Sequence, residues 1–155
     1  MRFTTTIIAG FFLIVCTSTA QELRVRQVPD VVVQAFQSAY PDVSSPEWEQ
    51  EQEGEYFEAE FEIHGIEHSI RISAEGSIVA TEVEMSISDI PSSIITFIAR
   101  SYAGYEIEEG TKVTTHDGTF FEVEIAGKGK EYELLFDTEG NPVKREKEEG
   151  DGDDD

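Results

Sequence analysis

Val28-Pro29-Asp30-Val31-Val32-Val33-Gln34-Ala35-Phe36-Gln37-Ser38-Ala39-Tyr40 returns 62 residues later as Ile90-Pro91-Ser92-Ser93-Ile94-Ile95-Thr96-Phe97-Ile98-Ala99-Arg100-Ser101-Tyr102. Ile94, Ile98 and Tyr102 stand where Val32, Phe36 and Tyr40 stood. The stretch that follows also returns, Tyr56-Phe57-Glu58-Ala59-Glu60-Phe61 as Phe120-Phe121-Glu122-Val123-Glu124-Ile125. Glu75-Gly76-Ser77-Ile78-Val79 becomes Glu139-Gly140-Asn141-Pro142-Val143, by which point the offset has grown to 64. The chain is therefore one unit written twice, with a two-residue insertion in a loop of the second copy.

Each copy opens as a helix. Val32, Phe36 and Tyr40 fall four apart on one face, with Val33 and Ala39 beside them. Pro29 suits a first turn, where its missing N–H costs nothing and its φ is already helical. The run Val31-Val32-Val33 would by itself favour a strand. The spacing of Ile94, Ile98 and Tyr102 in the second copy decides for the helix, with Pro41 and Gly104 closing the two.

Strict alternation then begins. In Phe57 to Ile63 apolar and acidic residues take turns, and Phe121, Val123 and Ile125 do the same against Glu122 and Glu124. A period of two with one apolar face predicts strands covered on one side. His64-Gly65 reads as a two-residue hairpin turn into Ile66, His68, Ile70 and Ile72. Tyr132, Leu134 and Phe136 form the matching strand, Val79, Thr81, Val83 and Met85 face the core on the next, and Trp48–Glu51 and Ile107–Thr115 begin each series. The fold class that follows is α+β: a tandem repeat of one helix and a four-stranded antiparallel meander. Two such units share one sheet in a two-layer arrangement, both helices on one face and the other face in solvent.

The organisation expected is a leader over residues 1–20, repeats over 28–86 and 88–147, and an acidic tail over 148–155. Arg2, the apolar run Ile7–Val15 and Ser18-Thr19-Ala20 make a secretory signal peptide cleaved after Ala20, hence a periplasmic or secreted protein with no membrane insertion after cleavage. Lipidation at Cys16 is the weaker reading, because Val15 stands where a small residue is wanted. Past the leader there is no cysteine and so no disulfide. Roughly 135 residues then remain, enough for one domain or two half-domains sharing a core. The run from Glu146 to Asp155 repels itself and reads as a disordered, solubilising tail rather than a calcium loop.

Lys and Arg total 11 against 33 Asp and Glu, a net charge of −22. Nucleic acid is excluded as a partner, since both it and anionic lipid need a cationic surface. Candidate partners are an unknown protein, basic or an envelope enzyme, and weakly held calcium; the alternative reading is a divalent-cation-binding envelope protein. The candidate partner-binding face comprises Glu58, Glu60, Glu62, Glu67, Arg71, Glu122, Glu124, Glu131 and Glu133, with Glu82 and Glu84 on an intervening strand. Glutamates facing one another across strands repel, at about 0.2–1 kcal/mol per pair. A face that accumulates them is tolerated for solubility or kept for a cationic partner.

His64 and His68 flank a turn, and with His116 in the other unit they make no zinc set, so no metal or other cofactor is expected. Gly-x-Ser-x-Gly and a phosphate-cradling glycine loop are both absent. On an open, flat acidic face nothing raises one carboxyl pKa above its neighbour's, so the chain is not expected to be an enzyme.

The residues also carry a resemblance. Val28-Pro29, Tyr40-Pro41, Trp48-Glu49 and Tyr56–Phe61 resemble the PepSY-like, β-lactamase-inhibitor-like proteins common in Bacteroidota. So do Ser88-Asp89-Ile90-Pro91, Ser101–Tyr105 and Tyr132–Gly140. The resemblance runs from Val28 to Lys147. It implies a periplasmic or secreted protein with the tandem helix-plus-meander fold of β-lactamase inhibitor proteins, acting as a non-enzymatic, inhibitor-like or protein-interaction module. The inhibitors proper hold a disulfide in each repeat. No loop motif matches theirs, so no inhibitory residue is carried across.

Overall fold

The computed structural model describes residues 21–23, 27–51 and 54–148. The predicted leader and the end of the acidic tail (149–155) lie outside them.

Pro29 and Pro91 stand one residue ahead of their helices, at the N-cap, with φ of −57° and −53°. The Pro29 carbonyl accepts from the N–H groups of Val32 and Val33, and that of Pro91 from Ile94 and Ile95. Helix α1 runs Asp30–Ala39 and α2 runs Ser92–Ser101. Each ends one residue before a tyrosine, Tyr40 or Tyr102, whose N–H still bonds back to Phe36 or Ile98.

The strands are β1 (Gln21–Leu23), β2 (Glu47–Glu51), β3 (Tyr56–Ile63), β4 (Ile66–Ser73), β5 (Ile78–Glu84), β6 (Glu106–Thr115), β7 (Gly118–Gly127), β8 (Lys130–Asp137) and β9 (Pro142–Glu148). They form one antiparallel sheet in the order β1-β2-β3-β4-β5-β6-β7-β8-β9. The eight strands of the two meanders are joined by a short ninth at the edge, where Leu23 pairs with Trp48. At the other end, β9 takes in Glu146–Glu148, the first residues of the acidic run, paired with Glu133, Tyr132 and Glu131.

The sequence insertion can be placed. Pair Glu51–Tyr56 in the first copy corresponds to Val113–Phe120 in the second. The second hairpin continues through Thr114–Thr119 and Thr115–Gly118, so the two additional residues lengthen the β6–β7 hairpin. The repeat also preserves its irregularities: a register shift falls between Arg71 and Ile72 and again between Leu135 and Phe136. His64 and Gly65 both have positive φ (55° and 82°), and Ile63 pairs with Ile66, the mirror-image turn that suits a right-twisted hairpin.

Both helices lie on one face, but they do not share a core. Under α1, Val32 and Phe36 pack with Trp48, Phe57, Ile70 and Ile72; under α2, Ile94 and Ile98 pack with Val123, Ile125, Leu134 and Phe136. Between them the middle of β5 and β6 lies outside both clusters, so Lys112 and Thr114 are exposed and Val79, Thr81 and Val83 only half-buried, while Ile107 on β6 still packs with the α2 cluster. On β5 the expected orientation is thereby reversed in effect. Ala80 and Glu82, on the helix-free side, are its buried residues.

Candidate functional site

The register sets which residues share the helix-free face. Glu58 pairs with Arg71, and Arg71 with Ala80; Ser69 pairs with Glu82, Glu84 with Thr111, Thr111 with Glu122, and Glu124 with Glu133. Glu60 opposes Ser69, Glu62 opposes Glu67, and Ala126 opposes Glu131. All nine candidate residues thus lie on this face, together with Glu82 and Glu84. Glu47, Glu49 and Glu51 of β2 and Glu109 of β6 belong to it as well, beyond the candidate residues. The β2 alternation Glu-Trp-Glu-Gln-Glu carried the signal for the first three, since Trp48 had to point under the helix.

This face is not flat and solvated as expected. Glu58, Arg71, Glu82, Glu122 and Glu133 are all buried, at 4–7% exposure, and Val113 and Leu135 beside them are 0% and 4% exposed. Long side chains on a twisted sheet lie along its surface and cover their neighbours, and their methylenes do the burying. The exposed rim is Glu62, Glu67, Glu84 and Glu131, with Glu60 and Glu124 half-buried.

Burial changes the carboxyls. It raises Glu58 above its ordinary value, opposed by the Arg71 guanidinium. The same desolvation lifts Glu82 from 4.5 to about 7, again against Arg71 and reinforced by Glu51 and Glu133. Glu122 is raised by burial and then by Glu133, with which it shares a hydrogen bond. Such a bond between two carboxyls requires a proton on one of them. The expectation that nothing on this face separates one carboxyl from its neighbour is therefore corrected, and packing is the reason.

The two copies solve this burial differently. In the first, Glu51 and Arg71 form an ion pair with Nη2 at 2.6 and 2.7 Å from the two carboxylate oxygens, beside Glu58. In the second, the repeat puts Val113 where Glu51 was, Leu135 where Arg71 was, and Glu133 where Ser69 was. Glu122, the counterpart of Glu58, keeps its carboxyl, with Leu135 opposite it in place of the cation. On β3 to β8, Arg71 is the basic residue of this face.

Two carboxylate oxygens, Oε2 of Glu82 and Oε2 of Glu122, are buried without a hydrogen-bond partner. A shallow cleft over the seam between the repeats is lined by Glu67, His68, Ser69, Glu82, Glu84, Glu109 and Thr111. Among the described residues no three His, Cys, Asp or Glu side chains are grouped to hold a metal ion. His68 faces the helix side, stacked on Phe61 at 5.5 Å, with its pKa lowered by burial; His64 and His116 are exposed turn residues.

No family model matches the chain and no curated protein matches it. Solved structures do. A BLIP-like protein from Bacteroides fragilis aligns at TM-score 0.65 and 24% identity, over 82% of this chain and 92% of that one. A DUF2874 family protein from Bacteroides ovatus gives 0.68 and 19%, over 77% and 86%. A Bacteroides eggerthii protein regarded as periplasmic gives 0.68 and 18%, over 77% and 88%. The chain therefore has the BLIP-like α+β fold, an open antiparallel sheet with two helices. These structures bear the BLIP-like and DUF2874 descriptions rather than the PepSY-like one.

Proposed function

We propose that this chain is a non-enzymatic binding module of the cell envelope, periplasmic or secreted, that holds a basic protein partner against the helix-free face of its sheet. The observation that carries the reading is the charge of that face. From β3 to β8 it gathers carboxylates from every strand, with Arg71 as its basic residue and that one already engaged by Glu51. Solubility needs charge at the surface; it does not need Glu82 and Glu122 buried with unpartnered oxygens. A cationic partner supplies the missing charge. The BLIP-like and PepSY-like resemblance, with its envelope setting and inhibitor-like architecture, supports the same reading.

Calorimetric titration of the chain with a basic peptide, against a neutral peptide of equal length, tests it. The comparison variant reverses the exposed Glu62 and Glu131 and the half-buried Glu60 and Glu124, because lysines at buried Glu58 or Glu122 would perturb folding. Binding that falls with salt and vanishes in the reversed protein is expected. Equal binding by both proteins would refute the reading.

A further inference from the structure

We infer that the cleft over the seam between the two repeats is an anchor site for an arginine side chain of the basic partner. This rests on the function proposed above and deepens it.

The cleft is built from three adjacent strands. Ser69 pairs with Glu82 and Glu84 with Thr111, so a buried floor of Ser69, Glu82 and Thr111 is flanked by Glu67, Glu84 and Glu109. Glu82 is 5% exposed, and its Oε2 has no hydrogen-bond partner. An acceptor that has lost water and gained nothing costs about 1–3 kcal/mol, more for a charged group. A donor arriving in the cleft recovers that loss.

The chemistry of the donor follows from the lining. It is cationic, since four of the seven lining residues are glutamates, beside Ser69, Thr111 and His68. A bare metal ion is disfavoured, since among the described residues no three ligating groups converge. A guanidinium presents five N–H donors in a plane, sheds its hydration more readily than an ammonium, and can address carboxylates on neighbouring strands together. The face already holds one: Arg71 lies 6% exposed on β4, its Nη2 bonded to Glu51. Its charge also reaches Glu82, but no arginine is among the residues that line the cleft.

The arrival of a guanidinium also has a signature. Glu82 is held partly protonated near neutral pH by its burial, and a cation beside it drives that proton off. A peptide held only by the exposed rim would not do so.

The test is titration of the full chain with a blocked tri-arginine peptide and with tri-lysine, near pH 7, in two buffers of different ionisation enthalpy. Tri-arginine should bind several-fold tighter than tri-lysine and release protons. Glu82→Gln should lose about tenfold in affinity, the size of one charge-assisted contact, together with the proton release. Glu109→Gln should lose several-fold, and Glu75→Gln, in a remote turn, nothing. Thermal melts confirm that each variant is folded. Wild-type affinity in both Glu82→Gln and Glu109→Gln, with no proton release, would overturn the cleft. If reversal of Glu60, Glu62, Glu124 and Glu131 still weakened tri-arginine in that case, the face would stand without it. If it did not, both would fall.

Discussion

Glu82→Gln should make the protein more stable, and only at high pH. The folded carboxyl titrates at about 7 against an ordinary 4.5. Below pH 4.5 both folded and unfolded chains carry the proton, and the site costs nothing. Between 4.5 and about 7 the unfolded chain gives up its proton first, so stability falls as pH rises through this window and levels off above it. At about 1.4 kcal/mol for each pH unit, the difference amounts to roughly 3 kcal/mol. Glutamine keeps the shape and never ionises, so it escapes the loss. For a domain of this size a kcal/mol is worth roughly 4 °C, so the gain in Tm should approach 10 °C at pH 9 and vanish near pH 4. Calorimetric melts of both proteins from pH 4 to 9 make the comparison. A difference independent of pH, or a glutamine variant less stable throughout, would refute the reasoning.

Glu122→Gln should behave in the same sense, and adding Glu133→Gln should gain little more, because the two carboxyls share one proton; urea unfolding of the single and double variants at pH 8 measures this. Arg71→Met leaves Glu51, Glu58 and Glu82 without their cation and should cost about 3–5 kcal/mol at neutral pH, less at pH 4 as the carboxyls protonate. Gly76→Ala and Gly140→Ala should each lower Tm clearly. Both have φ near +85°, and a Cβ would meet the first helical turn, at 2.7 Å from Val31 Cγ2 in one and against Ser93 in the other. Gly65→Ala, at φ +82° with nothing within 4 Å, carries the backbone cost alone, about 1 kcal/mol, and should be milder in the same melts.

The duplication made most of the architecture legible. Val31-Val32-Val33 alone points to a strand, and only Ile94 and Ile98 at the same spacing turn it into a helix. Glu58, Glu60, Glu122 and Glu124 were placed on one face by simple alternation, and the register agrees. The depth of that face was not legible. Alternation reports which side a residue takes, not how far its neighbours lean over it, so Glu58, Glu82 and Glu122 read as solvated. The centre of the sheet misled for a related reason. Val79, Thr81 and Val83 look like core residues, but neither helix reaches them. Glu51 and Arg71 stand 20 residues apart, and nothing short of the β2–β3–β4 register brings them together. Once the register is known, the second copy explains itself: Val113 and Leu135 replace that pair, and Glu122 turns to Glu133.

The central claim is that the helix-free face keeps buried carboxyls in a state waiting for a cation. Carboxyl-carbon NMR titration of the glutamate side chains, with and without tri-arginine peptide, tests it most directly. Glu82 should titrate at about 7 in the free protein, and the peptide should move its midpoint downward. A Glu82 midpoint in the ordinary carboxylate range, unmoved by the peptide, would contradict it.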